Sequence, residues 1–549
     1  MALLLRPCFG LTGVILALLI ASSSPGQDSA PIPSSDSISV RIEPSVLASI
    51  RERWKLGELQ PTSVKPRLIV FFCEQEGPLG DQDPIEAPFY RRPQPIRSVS
   101  IDLRRLVAGA GETVIELGDE VEDVARVPDR IADLHGGFRL RAVLDLGTGR
   151  SHATPGNPIS SIIEVEYRRD RDDVAEIVID DLIDVEDPPR IENLVWVEIP
   201  SPMLSAALGR SVVHRAGVAL PPAYFDPNAD RRFWPVIYVI PGFGGDETDA
   251  ERWARLLSDP AMSESLPQAI FIVLDPDDPL GHHGFVDGEN VGPRGTALVE
   301  EFIPWLDRRF RTVSRPSARM LHGHSSGGWS SLWLQLEHPE VFGSCFSSAP
   351  DPVDFSAFGT VDLNRDENLF VDSEGNPRAS MRTPLSPDLD RVLMTIEEEA
   401  AMEQAIAPDG TSGEQWSAWN AMFGGFDEST GLPTKGIDLQ SGRIDRGIID
   451  RQWSRYDILA RLRQEPEVVA PILVERVRLI CGDRDCYYLD RAVMNLARDL
   501  ESACADLGLA SGPGIIEVIP GATHDSIIGH AMRRWLPEMR SIAAEAPLR

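Results

Sequence analysis

The stretch RMLHGHSSGGWSSLWLQLEHPE, Arg319–Glu340, constrains the fold of this chain more than any other. An apolar run enters a Gly-His-Ser-Ser-Gly-Gly turn, and a run with Trp329, Trp333 and Leu336 at helical spacing leaves it. The pattern G-x-S-x-G is weak by itself. With 44 glycines in 549 residues, roughly one such chain in four would carry it by chance. Its context is what makes it informative. A strand-to-helix turn this tight forces strained dihedrals on Ser325 and brings its flanks close together, so Gly323, Gly327 and Gly328 have to be small. The helix N-terminus beyond Ser325 favours the negative charge that develops in acyl transfer.

The surroundings match such a turn. After about Leu194, apolar strand-like runs alternate with helical ones, which predicts a largely parallel sheet covered by helices. The strand candidates are SVVHRAGVAL, PVIYVI, QAIFIVLD, ARMLHG, FGSCFSSA, VRLIC and IIEVIP. Leu298, Phe302, Leu306 and Phe310 mark a helix between two of them. From about 354 to 465 the alternation stops in a polar, loop-rich stretch with a few helices, expected to be a cap inserted between two strands. Upstream, from about 27 to 180, short alternating runs such as RLIVFF, RSVSIDL and FRLRAVLDLG are separated by turn residues and predict an antiparallel β-sandwich. Residues 181–198 read as an acidic linker, leaving 199–549 as the second domain.

A serine hydroxyl is a poor nucleophile without a base, and that base needs an orienting carboxylate. The run VRLIC ends in GDRDCYYLD, and IIEVIP ends in GATHD. Asp485, in a G-x-x-D turn just past its strand, is the expected acid, with Asp483 and Asp490 as rivals. His524 is the expected base, because His530 falls inside the following helix and away from the sheet edge. The oxyanion hole requires backbone N–H groups. Ser326 supplies one, and Phe243 in the glycine turn of VIYVIPGFGG supplies the other. His282, His283 and Asn290 in GHHGFVDGEN are candidate substrate contacts on the rim. From the cap, Trp416, with Trp419 and Phe423, is a candidate wall of an acyl or aromatic pocket.

Charge and composition narrow the function classes. With 53 basic and 85 acidic side chains the net charge is −32, which argues against nucleic acid or anionic lipid as a partner. Arg6 followed by FGLTGVILALLIA and SSSPGQ has the order of a secretory signal peptide over residues 1–26, so the mature protein is expected to be secreted or periplasmic and free of the membrane. Five cysteines remain after it, an odd and sparse set that makes no disulfide framework. Phosphate-binding P-loop, dinucleotide and H-E-x-x-H motifs are absent from the sequence, so neither a metal nor an organic cofactor is expected.

The runs SPMLSAALGRSVVHRAGVALPPAYFD, WPVIYVIPGFGG, GPRGTALVEEFIPWLDRRFR, GHSSGGWSSLWLQLEHPEVFGSCFSSAPDP and RLICGDRD…PGATHD together resemble the putative esterase family. That family is similar to S-formylglutathione hydrolase, feruloyl esterases, enterochelin esterase and the mycolyltransferases of antigen 85. The resemblance covers about 201–537, the insertion excepted. It implies an α/β-hydrolase fold, a triad at Ser325, Asp485 and His524, and oxyanion donors at Phe243 and Ser326. The expectation is an exported serine hydrolase that cleaves carboxylic esters through an acyl-enzyme. The alternatives are an acyltransferase with the same triad, an esterase held to polysaccharide by its N-terminal domain, and a non-catalytic binding protein on a hydrolase scaffold.

Overall fold

The run Val236–Ile240 is buried at every position, as expected for a strand covered on both faces of a parallel sheet. In the computed structural model of the protein, this strand lies inside an eight-stranded sheet. The structure describes residues 37–549 apart from 60–63, 77–79, 87–92, 110–112, 150, 169–173, 185–188, 230, 387–388, 511–513 and 547–549. The expected signal segment 1–26 lies outside the described residues. Among the described residues no helix is long and apolar enough to cross a membrane.

The chain divides into two units, the boundary falling after residue 185. The first contains β1 (Ser37–Ile42), β2 (Arg67–Glu74), β3 (Ile96–Ser100), β4 (Thr113–Glu116), β5 (Ala125–Val127), β6 (Gly136–Asp145), β7 (Pro158–Ser160), β8 (Ile163–Tyr167) and β9 (Val174–Leu182). Their hydrogen bonds join all nine into one sheet, in the order β4-β1-β9-β7-β6-β2-β3-β5 with β8 also on β6. The pairs are antiparallel except β1 with β9. The unit is therefore β-rich as expected, but its ladder is one continuous sheet rather than the two sheets of the expected sandwich. Its core gathers Leu68, Val70 and Phe72 of β2 with Leu140, Ala142 and Leu144 of β6 on one face, the period-two spacing by which alternate residues of a strand share a face. Residues Ala401–Pro408 of the later insertion belong to this unit, where Ser98 Oγ donates to the carbonyl of Ala405 (2.6 Å).

The second unit holds β10 (Leu194–Pro200), β11 (Val213–Ala219), β12 (Val236–Ile240), β13 (Ile270–Leu274), β14 (Arg319–His324), β15 (Ser344–Ser348), a hairpin of β16 (Ala379–Ser386) and β17 (Leu389–Thr395), then β18 (Val477–Gly482) and β19 (Ile516–Ile519). Its main sheet runs β10-β11-β13-β12-β14-β15-β18-β19. β11 is antiparallel to both neighbours and the remaining pairs are parallel. This order, with the crossover between the third and fourth strands, is that of an α/β-hydrolase. β10 begins within the stretch 181–198 expected as linker and runs past it. Its buried side is limited to one edge position, Val197, so its apolar signal is thin beside the flanking acidic residues.

The inserted segment differs from a loop-rich lid. Phe355, Phe358, Trp416, Trp419, Phe423, Trp453 and Tyr456 are buried in the same core cluster as Trp329 and Trp333 of the helix after Ser325. Phe423 sits at the centre of this group. Its ring lies 5.4 Å from Trp329, 5.3 Å from Phe355, 5.2 Å from Trp453 and 5.1 Å from Tyr456. Each such side chain buried contributes on the order of 1.5–3 kcal/mol, so the insertion is part of the domain core.

Candidate active site

The elbow is built from close approaches that exclude side chains. β14 ends at His324, and helix α1 (Ser326–Glu337) begins one residue later. Ser325 between them has φ 58° and ψ −128°, a left-handed φ that a non-glycine residue adopts only when its surroundings impose it. A Cβ on Gly323 would collide with the carbonyl of Gly327, and one on Gly327 with the carbonyl of Ile240. The Ser325 N–H donates to the carbonyl of Ser348 (3.0 Å), and its carbonyl accepts from Trp329 N–H (3.0 Å) and Asp351 N–H (3.2 Å).

Two loops from the sheet edge complete the geometry. β18 delivers Asp485 and β19 delivers His524. Asp485 is fully buried and His524 is 4% exposed. His524 Nδ1–H donates to Asp485 Oδ2 at 2.7 Å, which leaves Nε2 as the ring's free acceptor. The other carboxylate oxygen, Oδ1, accepts from the N–H groups of Tyr487 (2.9 Å) and Leu489 (3.4 Å). Burial alone would lower the imidazole pKa, but the charge and hydrogen bond of Asp485 outweigh it, with help from Asp525 and Asp351, and hold His524 above the ordinary histidine value. The rivals are engaged elsewhere. Asp483 Oδ1 accepts from Gly521 N–H (2.7 Å), Asp490 pairs with Arg382 (3.0 Å), and His530 is exposed on helix Ser526–Glu545.

The glycine turn after β12 lies against the elbow. A Cβ on Gly242 would stand 3.1 Å from the His324 carbonyl and 3.3 Å from Ser325 Cβ. Phe243 N–H thus follows a turn pressed onto Ser325, and Ser326 N–H opens α1.

The expected rim contacts are buried and bonded to backbone groups. His282 and His283 are 4% and 2% exposed. His282 Nε2–H donates to the Pro241 carbonyl (3.2 Å) while its Nδ1 accepts from Gly284 N–H (3.1 Å). It braces the glycine turn, and burial pushes its pKa down to about 4, so it is neutral. His283 Nδ1 accepts from Phe285 N–H (3.1 Å). Asn290 Nδ2 donates to the carbonyls of Ala421, Gly424 and Gly425 (3.0, 3.0 and 3.1 Å), tying this loop to helix α2 (Gln415–Phe423). All three serve backbone groups, because a buried loop must satisfy its own carbonyls. Trp416 is 5% exposed and donates Nε1–H to Glu399 (2.8 Å), so it packs the insertion.

Other residues at the site carried no sequence signal. Arg382 of β16 donates Nε–H to the backbone carbonyl of Asp485 (2.8 Å), Nη1–H to Asp390 (2.9 Å) and Nη2–H to Asp490 (3.0 Å), and its guanidinium lies 4.2 Å over the Tyr488 ring. The insertion thereby grips the acid loop. His324 sets its ring 4.4 Å from that of His524, and Tyr487 contacts the His524 ring edge-on at 4.9 Å. Asp351, beyond β15, accepts from Ser326 Oγ (2.7 Å) and from Trp419 Nε1–H (3.3 Å). Burial raises its pKa to about 6 against the lowering effect of those two bonds and of His524. All five described cysteines are free thiols, and no group of three or more His, Cys, Asp or Glu among the described residues is placed to hold a metal ion.

Residues 205–452 match the family model described as "Putative esterase". The match includes Ser325 and ends before Asp485 and His524. Among curated proteins, the chain is 25% identical over 146 residues to the uncharacterised protein YbbA of Bacillus subtilis, spanning 24% of this chain and 56% of that one. It is 27% identical over 151 residues to Esterase Rv1288 of Mycobacterium tuberculosis, spanning 27% of this chain and 30% of that one. The chain therefore spans about half the length of the first of these relatives and under a third of the second. Among solved structures it is similar to a ferulic acid esterase, with 16% identity, 64% of this chain and 98% of that chain covered and a TM-score of 0.37. It is similar also to an S-formylglutathione hydrolase from Agrobacterium tumefaciens, with 14% identity, 64% and 95% covered and a TM-score of 0.34. The family match thus lies on a segment of under half the chain, centred on the elbow serine.

Proposed function

We propose that the protein is a serine hydrolase that cleaves carboxylic esters through an acyl-enzyme. The observation that carries this reading is the 2.7 Å bond from His524 Nδ1 to the buried Asp485 carboxylate, on the same sheet edge as a serine with a left-handed φ of 58°. His524, held with Nε2 unprotonated, takes the Ser325 proton as Oγ attacks the ester carbonyl. The tetrahedral oxyanion is received by the N–H groups of Phe243 and Ser326. Collapse expels the alcohol, which takes the proton from His524. Water, deprotonated by the same imidazole, then attacks the acyl carbonyl and frees Ser325 with release of the acid. Asp485 stabilises the transient imidazolium and keeps the ring in its productive tautomer.

A fluorophosphonate tests the assignment, since it reports nucleophile activation without presuming a natural substrate. One adduct mapped to Ser325 is expected, absent from Ser325→Ala and strongly slowed in His524→Ala. An adduct on another serine, or unchanged labelling without His524, overturns the reading. We further propose export, on the order of Arg6 and the apolar run after it. N-terminal sequencing of the mature protein should then begin between Ser23 and Asp28, and an intact Met1 on exported protein would refute cleavage.

A further inference from the structure

Asp351 stands beside the reaction centre and takes no part in the steps above. Its backbone N–H donates to the Ser325 carbonyl (3.2 Å). Both donors to its carboxylate, Ser326 Oγ–H and Trp419 Nε1–H, fall on the same oxygen, Oδ2. Oδ1 has no protein donor among the described residues and is not sealed from solvent, although the residue as a whole is only 7% exposed. Holding Ser326 and Trp419 requires one acceptor oxygen, which an asparagine would also provide. A second, anionic oxygen at a nearly buried position adds a desolvation cost that holding these two donors does not require. Its aromatic neighbour is Trp419. The Trp419 ring packs edge-on against Phe358 (4.6 Å) and Trp416 (4.9 Å), so the residue that donates to Oδ2 is itself fixed by aromatic packing.

We propose that Asp351 Oδ1 receives a hydrogen-bond donor, a hydroxyl or ammonium group, carried by the ester substrate, which makes Asp351 a specificity-determining residue. This rests on Ser325 being the nucleophile. An ionised carboxylate only accepts, so a plain alkyl ester would strip water from Oδ1 and give nothing back. An ester with a suitably placed donor replaces that water with a charge-assisted bond. The donor can sit on the acyl or the alcohol side of the ester, and the two are separable by experiment.

Hydrolysis by the full chain is followed by acid release. Methyl β-hydroxybutyrate and methyl β-aminobutyrate are compared with methyl butyrate for the acyl side, and glycol monobutyrate with propyl butyrate for the alcohol side. On one side the donor-bearing ester should be favoured in kcat/KM on the order of ten- to a hundredfold. In Asp351→Asn the amide oxygen can keep both protein donors and turn its NH2 group towards the substrate. That variant should erase or invert the preference, whatever happens to its absolute rate. Fluorophosphonate labelling of Ser325 reports whether its elbow is intact, and Asp351→Ser provides the same comparison if the asparagine variant does not fold. Absence of a donor preference on both sides in the wild type overturns the proposal, and so does a preference undiminished in the variant. Failure of the parent reading looks different: methyl butyrate hydrolysis would persist in Ser325→Ala or be absent from the wild type.

Discussion

Replacing Arg382 with lysine perturbs the acid loop without touching the reacting groups. The guanidinium makes three bonds, at 2.8 Å to the Asp485 carbonyl, 2.9 Å to Asp390 and 3.0 Å to Asp490, in a planar fork over Tyr488. A lysine ammonium is a point charge on a flexible stem and cannot span three acceptors in this geometry. Losing two of the three bonds, each involving a charged group worth about 1.5–3 kcal/mol, gives an expected destabilisation of about 3–6 kcal/mol. Asp490, whose pKa burial already pushes up to about 6, then takes up a proton more readily. The Asp485 carbonyl loses its anchor, and a displacement of about 1 Å in the acid loop costs up to about a hundredfold in rate. Urea unfolding followed by tryptophan fluorescence measures the first effect, and steady-state hydrolysis of a p-nitrophenyl ester the second. The rate loss should lie in kcat with KM little changed, and it should largely vanish when Arg382→Lys is introduced into Asp485→Asn, because two changes acting through one carboxylate are not additive. Equal losses in both backgrounds, or a rise in KM at constant kcat, would refute the argument that Arg382 acts through Asp485.

Ser325→Ala and His524→Ala should each lower kcat by roughly 10³–10⁶ with the double variant little worse, since the members of a triad act as a unit. Activity requires neutral His524, and its pKa is raised, so kcat/KM should climb with pH through an apparent value above the ordinary imidazole pKa of about 6.5. Asp485→Asn removes the main raising influence and should move that limb to lower pH; a limb that stays in place would exclude His524 as the titrating base. Phe423→Ala empties the centre of the aromatic group that joins the insertion to Trp329. A loss of about 3–5 kcal/mol in unfolding free energy is expected, and a loss below about 1 kcal/mol would show the insertion to be loosely packed. Gly327→Ala would press a methyl group into the Ile240 carbonyl, so labelling of Ser325 should fall sharply even where far-ultraviolet dichroism is unchanged.

Much of the second unit was legible because its signals are local. Parallel strands buried on both faces read as continuous apolar runs, and all seven strand candidates after Leu194 are strands of the main sheet. β10 was absorbed into the acidic linker because, with only Val197 fully buried, its composition does not set it apart. The insertion read as polar and loop-rich because its helices are short and its buried aromatics are scattered between charged residues. What they pack against lies elsewhere in the chain. His282, His283 and Asn290 looked like rim contacts because sequence places a loop at the strand end without showing which way its side chains turn.

Two kinds of information are thus separated in this protein. The elbow, the order of the serine, aspartate and histidine turns, and the need for small residues at Gly323 and Gly327 were determined by the sequence itself, since each depends on spacings of a few residues and on backbone sterics. Tertiary structure decided which of three aspartates faces His524 across 39 positions of chain. It also decided that Arg382 reaches the acid loop from 103 positions away, and that Trp419 meets Asp351 across 68. Such pairings follow from the order in which strands add to the sheet and from the surface on which the insertion packs. No local periodicity encodes either, because hydrophobic burial specifies that a side chain is covered but not by which partner.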